Sequence, residues 1–253
     1  MLATQAIQTG DADIIIAGGM ENMTQAPYLL PKGREGHRLG HGQVLDSMIK
    51  DGLWDAYNDK HMGNCAELCA SEKNYSREDQ DAFAKISYTR AQSALENGSF
   101  SDEIVSVPVP QHKGEPIIVD ADEEPRRANF EKMEFLRPAF EKDGTITAAN
   151  ASKINDGAAA ILIMSGEKAK ELELTPLAVI GAQASAAHAP EWFTTAPSKA
   201  ISKVLEKAGI KAEAIDLWEI NEAFAPVAMA AMDDFNLSHD KVNVNGGAIA
   251  IGH

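Results

Sequence analysis

The residue best suited to proton transfer near neutral pH stands at the end of the chain, His253, behind the run Val242-Asn-Val-Asn-Gly-Gly-Ala-Ile-Ala-Ile-Gly-His253. Gly246 and Gly247 permit a backbone path that a Cβ resists. The apolar run 248–251 needs burial and reads as a strand, so the closing segment is expected to be a buried strand with a histidine at its tip. Such a run seldom closes a natural chain, so His253 is expected to stand at the edge of a cut. Asn221, in Asn221-Glu-Ala-Phe-Ala225, could orient a polar group or cap a helix. Ser152 and Asn150 lie in the small-residue stretch 144–152, where a backbone with few side chains can approach a ligand or simply pack tightly. Cys65 and Cys69 are four residues apart. With no second cysteine pair they suit buried free thiols in a reducing compartment better than a zinc cage. His37 and His41 are also four apart, but Gly40 between them, with Gly36 and Gly42 on either side, argues against a helical metal pair.

The elements that must hold these residues read as alternating helix and strand. Residues 2–9 look like the later part of a helix stopped by Gly10, and the apolar run from Asp13 reads as a strand buried on both faces. That succession is the grammar of a layered α/β protein. From 24 to 59 prolines and glycines punctuate an irregular region. A short helix is expected over 64–74. Ser76-Arg-Glu-Asp79 then forms a capping box that starts a long helix, ended by Asn97-Gly98. Short edge strands are expected near 104–109 and 116–119. A strand, or a short helix feeding one, is expected over 155–164, and strands over 176–184 and 216–220. Pro197 precedes a helical stripe closed by Gly209, and Pro226 should open the last helix.

The chain has 253 residues, 44% hydrophobic and 24% charged, with a formal charge of -15. That charge argues against a general nucleic-acid or anionic-membrane surface, yet a local basic patch would still admit an anionic small molecule. No apolar stretch reaches membrane-spanning length.

Four segments together resemble the thiolase family: His61-Met-Gly63, Asn150-Ala-Ser-Lys-Ile-Asn-Asp-Gly-Ala-Ala-Ala160, Asn221-Glu-Ala-Phe-Ala225, and Asn243-Val-Asn-Gly-Gly-Ala-Ile-Ala-Ile-Gly-His253. Residues 17–23 and 136–140 also fit. The histidine of His61-Met-Gly63 points to the biosynthetic, acetyl-CoA acetyltransferase branch. The resemblance implies a layered α-β-α-β-α fold, truncated at both ends. Residues 1–23 and 154–175 would belong to the N-terminal half, 24–153 to an inserted loop domain, and 176–253 to the start of the C-terminal half.

It also implies acyl transfer from acyl-CoA through a cysteine. His253 would activate that thiol and help polarise the thioester oxygen, with Asn221 holding a water beside it. Ser152 would contact the pantetheine of CoA. His61, Met62, Phe140, Phe193, Ala223 and Phe224 would line the substrate pocket, and Arg126 or Arg127 would meet the nucleotide phosphates. Lys153 departs from the pattern, which usually has a small residue there. Neither reactive cysteine of the family matches Cys65 or Cys69, so the chain reads as an internal fragment, inactive alone. No permanently bound cofactor or metal is implied, with CoA and acetyl-CoA as substrates. A homodimer or homotetramer is implied for the intact protein, in the cytoplasm, with no nucleic-acid or membrane partner. Alternatives are a degradative 3-ketoacyl-CoA thiolase and a non-catalytic acyl-CoA-binding or assembly protein of the same fold.

Overall fold

The computed structural model describes all 253 residues. They form two compact units. One comprises Met1–Gly52, Asn155–Ala186 and Ala200–Lys211; the other comprises Leu53–Ile154, Ala187–Lys199 and Ala212–His253.

The first unit is built on two long strands. Helix α1 (Leu2–Gln8) ends before Gly10, whose φ of +80° reverses the chain into β1 (Ile14–Asn22). β1 pairs antiparallel with β8 (Asp156–Met164), in register from Ile14 opposite Met164 to Asn22 opposite Asp156. The expected double-sided burial of β1 does not occur: Ile16 is 76% and Met20 83% exposed. The sheet has only these two strands, so no further strand or helix layer covers both faces. Their pairing is antiparallel. A two-residue hairpin-like pairing, β2 (Tyr28–Leu29) with β3 (Leu45–Asp46), lies in the irregular region. The expected strand over 176–184 is absent, because nothing runs beside it to complete a ladder. Instead, the backbone carbonyl of Gln183 accepts from Lys207 Nζ, and its side-chain Nε2 donates to Thr4 Oγ1.

The second unit holds the candidate residues. A short pairing of β4 (Trp54–Asp55) with β5 (Lys60–His61) leads directly into α2 (Met62–Lys73). Ser76 and Asp79 form the expected capping box and start α3 (Arg77–Asn97), which stops at left-handed Gly98. β6 (Val107–Val109) and β7 (Ile117–Val119) pair as an exposed ribbon. The short helices α4 (Glu124–Arg127) and α5 (Phe130–Met133) follow. α6 (Gly166–Glu171) belongs to the first unit, and α7 (Ala196–Ala208) is the helix expected after Pro197. α8 (Ala225–Phe235) starts one residue ahead of Pro226, which occupies its first turn.

Small residues explain how α2, α3 and α8 approach so closely. Cys65, Ala66 and Cys69 of α2, Ala84 and Ala91 of α3, and Ala228, Ala230 and Ala231 of α8 are all buried. Phe83, 4% exposed, adds the large apolar contribution of that face, about 2 kcal/mol for such a side chain.

The closing segment differs from expectation. Residues 248–251 are not a strand but the short helix α9 (Ala248–Ile251). Trp218 and Val242 make a single parallel bridge, so neither 216–220 nor 242–251 extends into a sheet. A four-residue apolar run carries no period that separates helix from strand. Here the deciding influence is a cap from a distant side chain: Ile249 N–H donates to the Glu222 carboxylate at 3.1 Å.

Candidate active site

The second unit brings His253, Asn221 and Ser152 together. Asn221 Nδ2 lies 2.9 Å from His253 Nε2, and Ser152 Oγ lies 3.2 Å from His253 Nδ1. An amide nitrogen only donates, so Nε2 accepts from Asn221. The ring proton therefore sits on Nδ1, toward Ser152. Although the ring faces solvent on one side, the protein packed behind it penalises the charged form and lowers its pKa below the ordinary histidine value. At neutral pH the group is a neutral imidazole whose basic nitrogen points at an amide donor. Asn221 does not cap α8, because the cap position is Phe224 and no side chain fills it.

Each member is held by backbone. Ser152 N–H donates to the Ala223 carbonyl at 3.0 Å, and Ala151 bridges Phe224. The loop 144–152 that delivers Ser152 is fixed from beneath by buried polar side chains. The Glu67 carboxylate accepts from Thr145 N, Thr145 Oγ1 and Ile146 N, at 2.8, 3.0 and 2.8 Å. Asn150, fully buried, accepts from Thr147 N and donates to Asp81. Of the two polar residues in this stretch, Asn150 therefore braces the loop and Ser152 faces the site. Gly246 and Gly247 perform the close approach expected of them. Gly246 has φ +83°, and a Cβ on it would lie 2.6 Å from the Ser87 carbonyl oxygen.

Beside this cluster is an apolar wall. Phe224, Ala66, Ile146 and Val227 form a buried core against which Met62, Phe140, Phe193 and Ala223 pack. Phe224 meets Phe140 and Phe193 edge-on, with ring centroids 6.0 and 6.3 Å apart. His61 lies 4.7 Å from the Phe140 ring. His61 Nδ1 accepts from Gly63 N at 2.9 Å, so it caps α2 and carries its proton on Nε2. Burial lowers its pKa, which keeps it neutral. Sequence reasoning placed His61 in the pocket and missed its cap, which rests on the extended backbone of His61 and was not visible in the sequence.

Arg126 and Arg127 are exposed on α4. Arg127 pairs with Glu123 at 2.7 Å and Glu124 at 3.0 Å. It lines a cleft of about 250 Å³ with Tyr88, Lys132, Leu136 and Lys153. His253, Asn221 and Ser152 are not part of that lining. Lys153 Nζ bonds the Ala148 carbonyl and lies 5.4 Å from the centre of the Tyr88 ring. Burial lowers its pKa. Cys65 and Cys69 are free, both 0% exposed, and burial raises the pKa of each thiol. Neither has the activated, accessible character of a nucleophile.

Residues 1–167 match the description "Thiolase, N-terminal domain", and residues 174–253 match "Thiolase, C-terminal domain". The chain belongs to the thiolase family. Among relatives, it is 51% identical over 253 residues to an acetyl-CoA acetyltransferase of Pseudomonas aeruginosa, covering 100% of this chain and 64% of the relative. It is 50% identical over 254 residues to an acetyl-CoA acetyltransferase of Schizosaccharomyces pombe, with the same coverage. Its fold superposes with a TM-score of 0.96 on the acetyl-CoA acetyltransferase of Bacillus anthracis, at 41% identity. A second likeness is to the Acat5 thiolase of Ascaris suum in complex with coenzyme A, at TM-score 0.93 and 42% identity. Each structural match covers 100% of this chain and 64% of the other. The chain thus spans slightly less than two thirds of the thiolases it matches. No helix is long and apolar enough to cross a membrane.

Proposed function

We propose that the intact parent of this thiolase chain joins two acetyl-CoA molecules into acetoacetyl-CoA and free CoA, or runs the reverse thiolysis. The observation that carries the reading is the His253–Asn221 contact at 2.9 Å, with Ser152 on the opposite ring nitrogen. The names of the similar acetyltransferases support it.

In this reading the arriving cysteine thiol displaces the Asn221 amide from His253 Nε2, which then takes the thiol proton. The thiolate attacks the carbonyl carbon of one acetyl-CoA, the C–S bond to CoA breaks, and an acyl-cysteine forms. A second acetyl-CoA loses a methyl proton to the family's second reactive cysteine, which became a thiolate by protonating the departing CoA. Its carbanion attacks the acyl-cysteine carbonyl, a C–C bond forms, and the cysteine leaves as thiolate. The proton on Nε2 then faces the thioester oxygen, where charge develops. Asn221 adds a donor there, directly or through a water, and a fixed donor costs no reorganisation at that moment. The neutral resting state of His253 suits it to begin as the base. Ser152 meets the pantetheine arm, and Met62, His61, Phe140, Phe193, Ala223 and Phe224 form the wall against the acyl end. Arg126 or Arg127 meets the nucleotide phosphates. The acyl-carrying thiol is assigned to a cysteine outside residues 1–253, since Cys65 and Cys69 are sealed in the α2 face.

CoA and acetyl-CoA pass through as substrates, with no permanently bound cofactor. The parent is assigned to the cytoplasm, where free thiols persist, as a homodimer or homotetramer. The division into N-terminal half (1–23 and 154–175), loop domain (24–153) and C-terminal half (176–253) belongs to the same proposal. Initial rates of CoA-dependent acetoacetyl-CoA cleavage test it. The intact parent should turn over and the 253-residue chain should not. Turnover by the chain alone, or none by the parent, overturns the reading.

A further inference from the structure

Glu222 follows Asn221 directly and is fully buried, at 0% exposure. A carboxylate there has to be surrounded by donors to be tolerated. It is. Oε1 accepts from Asn243 Nδ2 at 2.8 Å, and Oε2 accepts from Ser87 Oγ at 2.7 Å and Ile249 N at 3.1 Å. Ser87 Oγ accepts in turn from Gly247 N at 3.0 Å, so its own proton points to Glu222. Asn243 is oriented by a reciprocal pair with Ile220. Its Oδ1 accepts from Ile220 N, and its Nδ2 donates to the Ile220 carbonyl, each at 2.8 Å. Its acceptor is therefore turned away from Glu222.

The three donors come from separate parts of the second unit: Ser87 from α3, Asn243 from the segment bridged to Trp218, and Ile249 from α9. α9 has only four residues, and its cap residue, Gly247, has no side chain to satisfy the opening N–H groups. Glu222 supplies that acceptor from elsewhere in the chain. A Cβ on Gly247 would lie 2.5 Å from the Glu222 carboxyl carbon, so the glycine is what lets the carboxylate sit against the helix start. His253 stands four residues beyond Ile249, and Asn221 one residue before Glu222.

We infer that Glu222 is the positioning residue of the Asn221–His253 pair: one buried carboxylate holds the backbone of both members and so sets the 2.9 Å separation of Nδ2 and Nε2. It acts through the start of α9. The catalytic consequence rests on the acyl-transfer reading; the geometric claim does not.

The test uses the 253-residue chain labelled with 15N at histidine and at backbone amides. In the unmutated chain the His253 ring should report one tautomer, with the proton on Nδ1, and the Ile249 amide should exchange slowly. In Glu222→Gln the two added N–H groups face existing donors. With the remaining amide spectrum still that of the folded chain, the His253 nitrogens should move to the averaged positions of two exchanging tautomers. Ile249 protection should fall about tenfold or more, the loss expected when a buried bond to a charged group is broken. In the intact parent the same substitution should lower kcat while leaving KM for CoA unchanged. A folded Glu222→Gln chain with the single tautomer and Ile249 protection intact overturns the inference. If Glu222→Gln does not fold, Ser87→Ala removes one of the three donors and should give the same tautomer averaging at smaller amplitude; an unchanged His253 signal there overturns it equally. Failure of the acyl-transfer reading would appear instead as absent turnover by the unmutated parent, with the ring signals still moved by the substitution.

Discussion

At the scale of single residues, the candidate chemistry depends on an imidazole kept neutral with its lone pair on a chosen nitrogen. Burial lowers the His253 pKa, and the Asn221 amide fixes Nε2 as the acceptor. The His253 ring should therefore titrate with an NMR midpoint below about 6.5, the ordinary histidine value. The sign for stability follows from linkage. A histidine with a lowered folded pKa binds fewer protons folded than unfolded, so its contribution is present above about 6.5 and is lost as pH falls below that value. Loss of activity in the parent should track the same midpoint, because a protonated Nε2 cannot accept the thiol proton. A midpoint at or above 6.5 would contradict the environment described for the ring. The residues themselves were legible in the sequence. Histidine, asparagine and serine stood in specific segments, and the structure brings all three within hydrogen-bonding distance. Glu222 was not singled out, since an acid beside an asparagine carries no signal until its burial and three donors are known.

Among elements, the legible features were those written locally. The capping box of α3, the left-handed stop at Gly98 and the helix after Pro197 all rest on residues within a few positions of each other. The closing helix α9 was not legible, because its decisive cap comes from Glu222, 27 residues earlier in the chain. The strands expected over 176–184 and 216–220 failed for a related reason: a strand is completed by a neighbour, and sequence pattern does not say whether one is present. The turn into α9 makes its own prediction. Gly246 combines a positive φ with backbone and side-chain atoms of Ser87 and Ala91 closer than 3 Å to any added Cβ. Gly246→Ala should destabilise the second unit by roughly 2–4 kcal/mol, the sum of left-handed strain and overpacking. A urea midpoint unchanged from the parent sequence would contradict that packing.

Over the whole molecule, the two units differ in how well they bury their apolar residues. The second has a closed core of α2, α3 and α8. The first presents a two-stranded sheet whose Ile16, Met20, Ile161 and Leu162 are all more than half exposed. Exposed, pairable strand edges of this kind favour self-association. The net charge of -15 opposes it, and salt screens that opposition. Light scattering on the 253-residue chain should show association that grows with concentration and with salt, and that Ile16→Lys with Leu162→Lys suppresses. The overall class was legible in the thiolase-like segments, whereas the exposure of β1 was not, because an apolar run announces a need for burial without saying what supplies it. The role of His253 as the base of an acyl transfer is read from the rate of acetoacetyl-CoA thiolysis by the intact parent and its His253→Ala variant. Replacing His253 with alanine should lower kcat by about 10²–10⁴-fold, and a variant whose kcat stays within about tenfold of the unmutated parent would rule that role out.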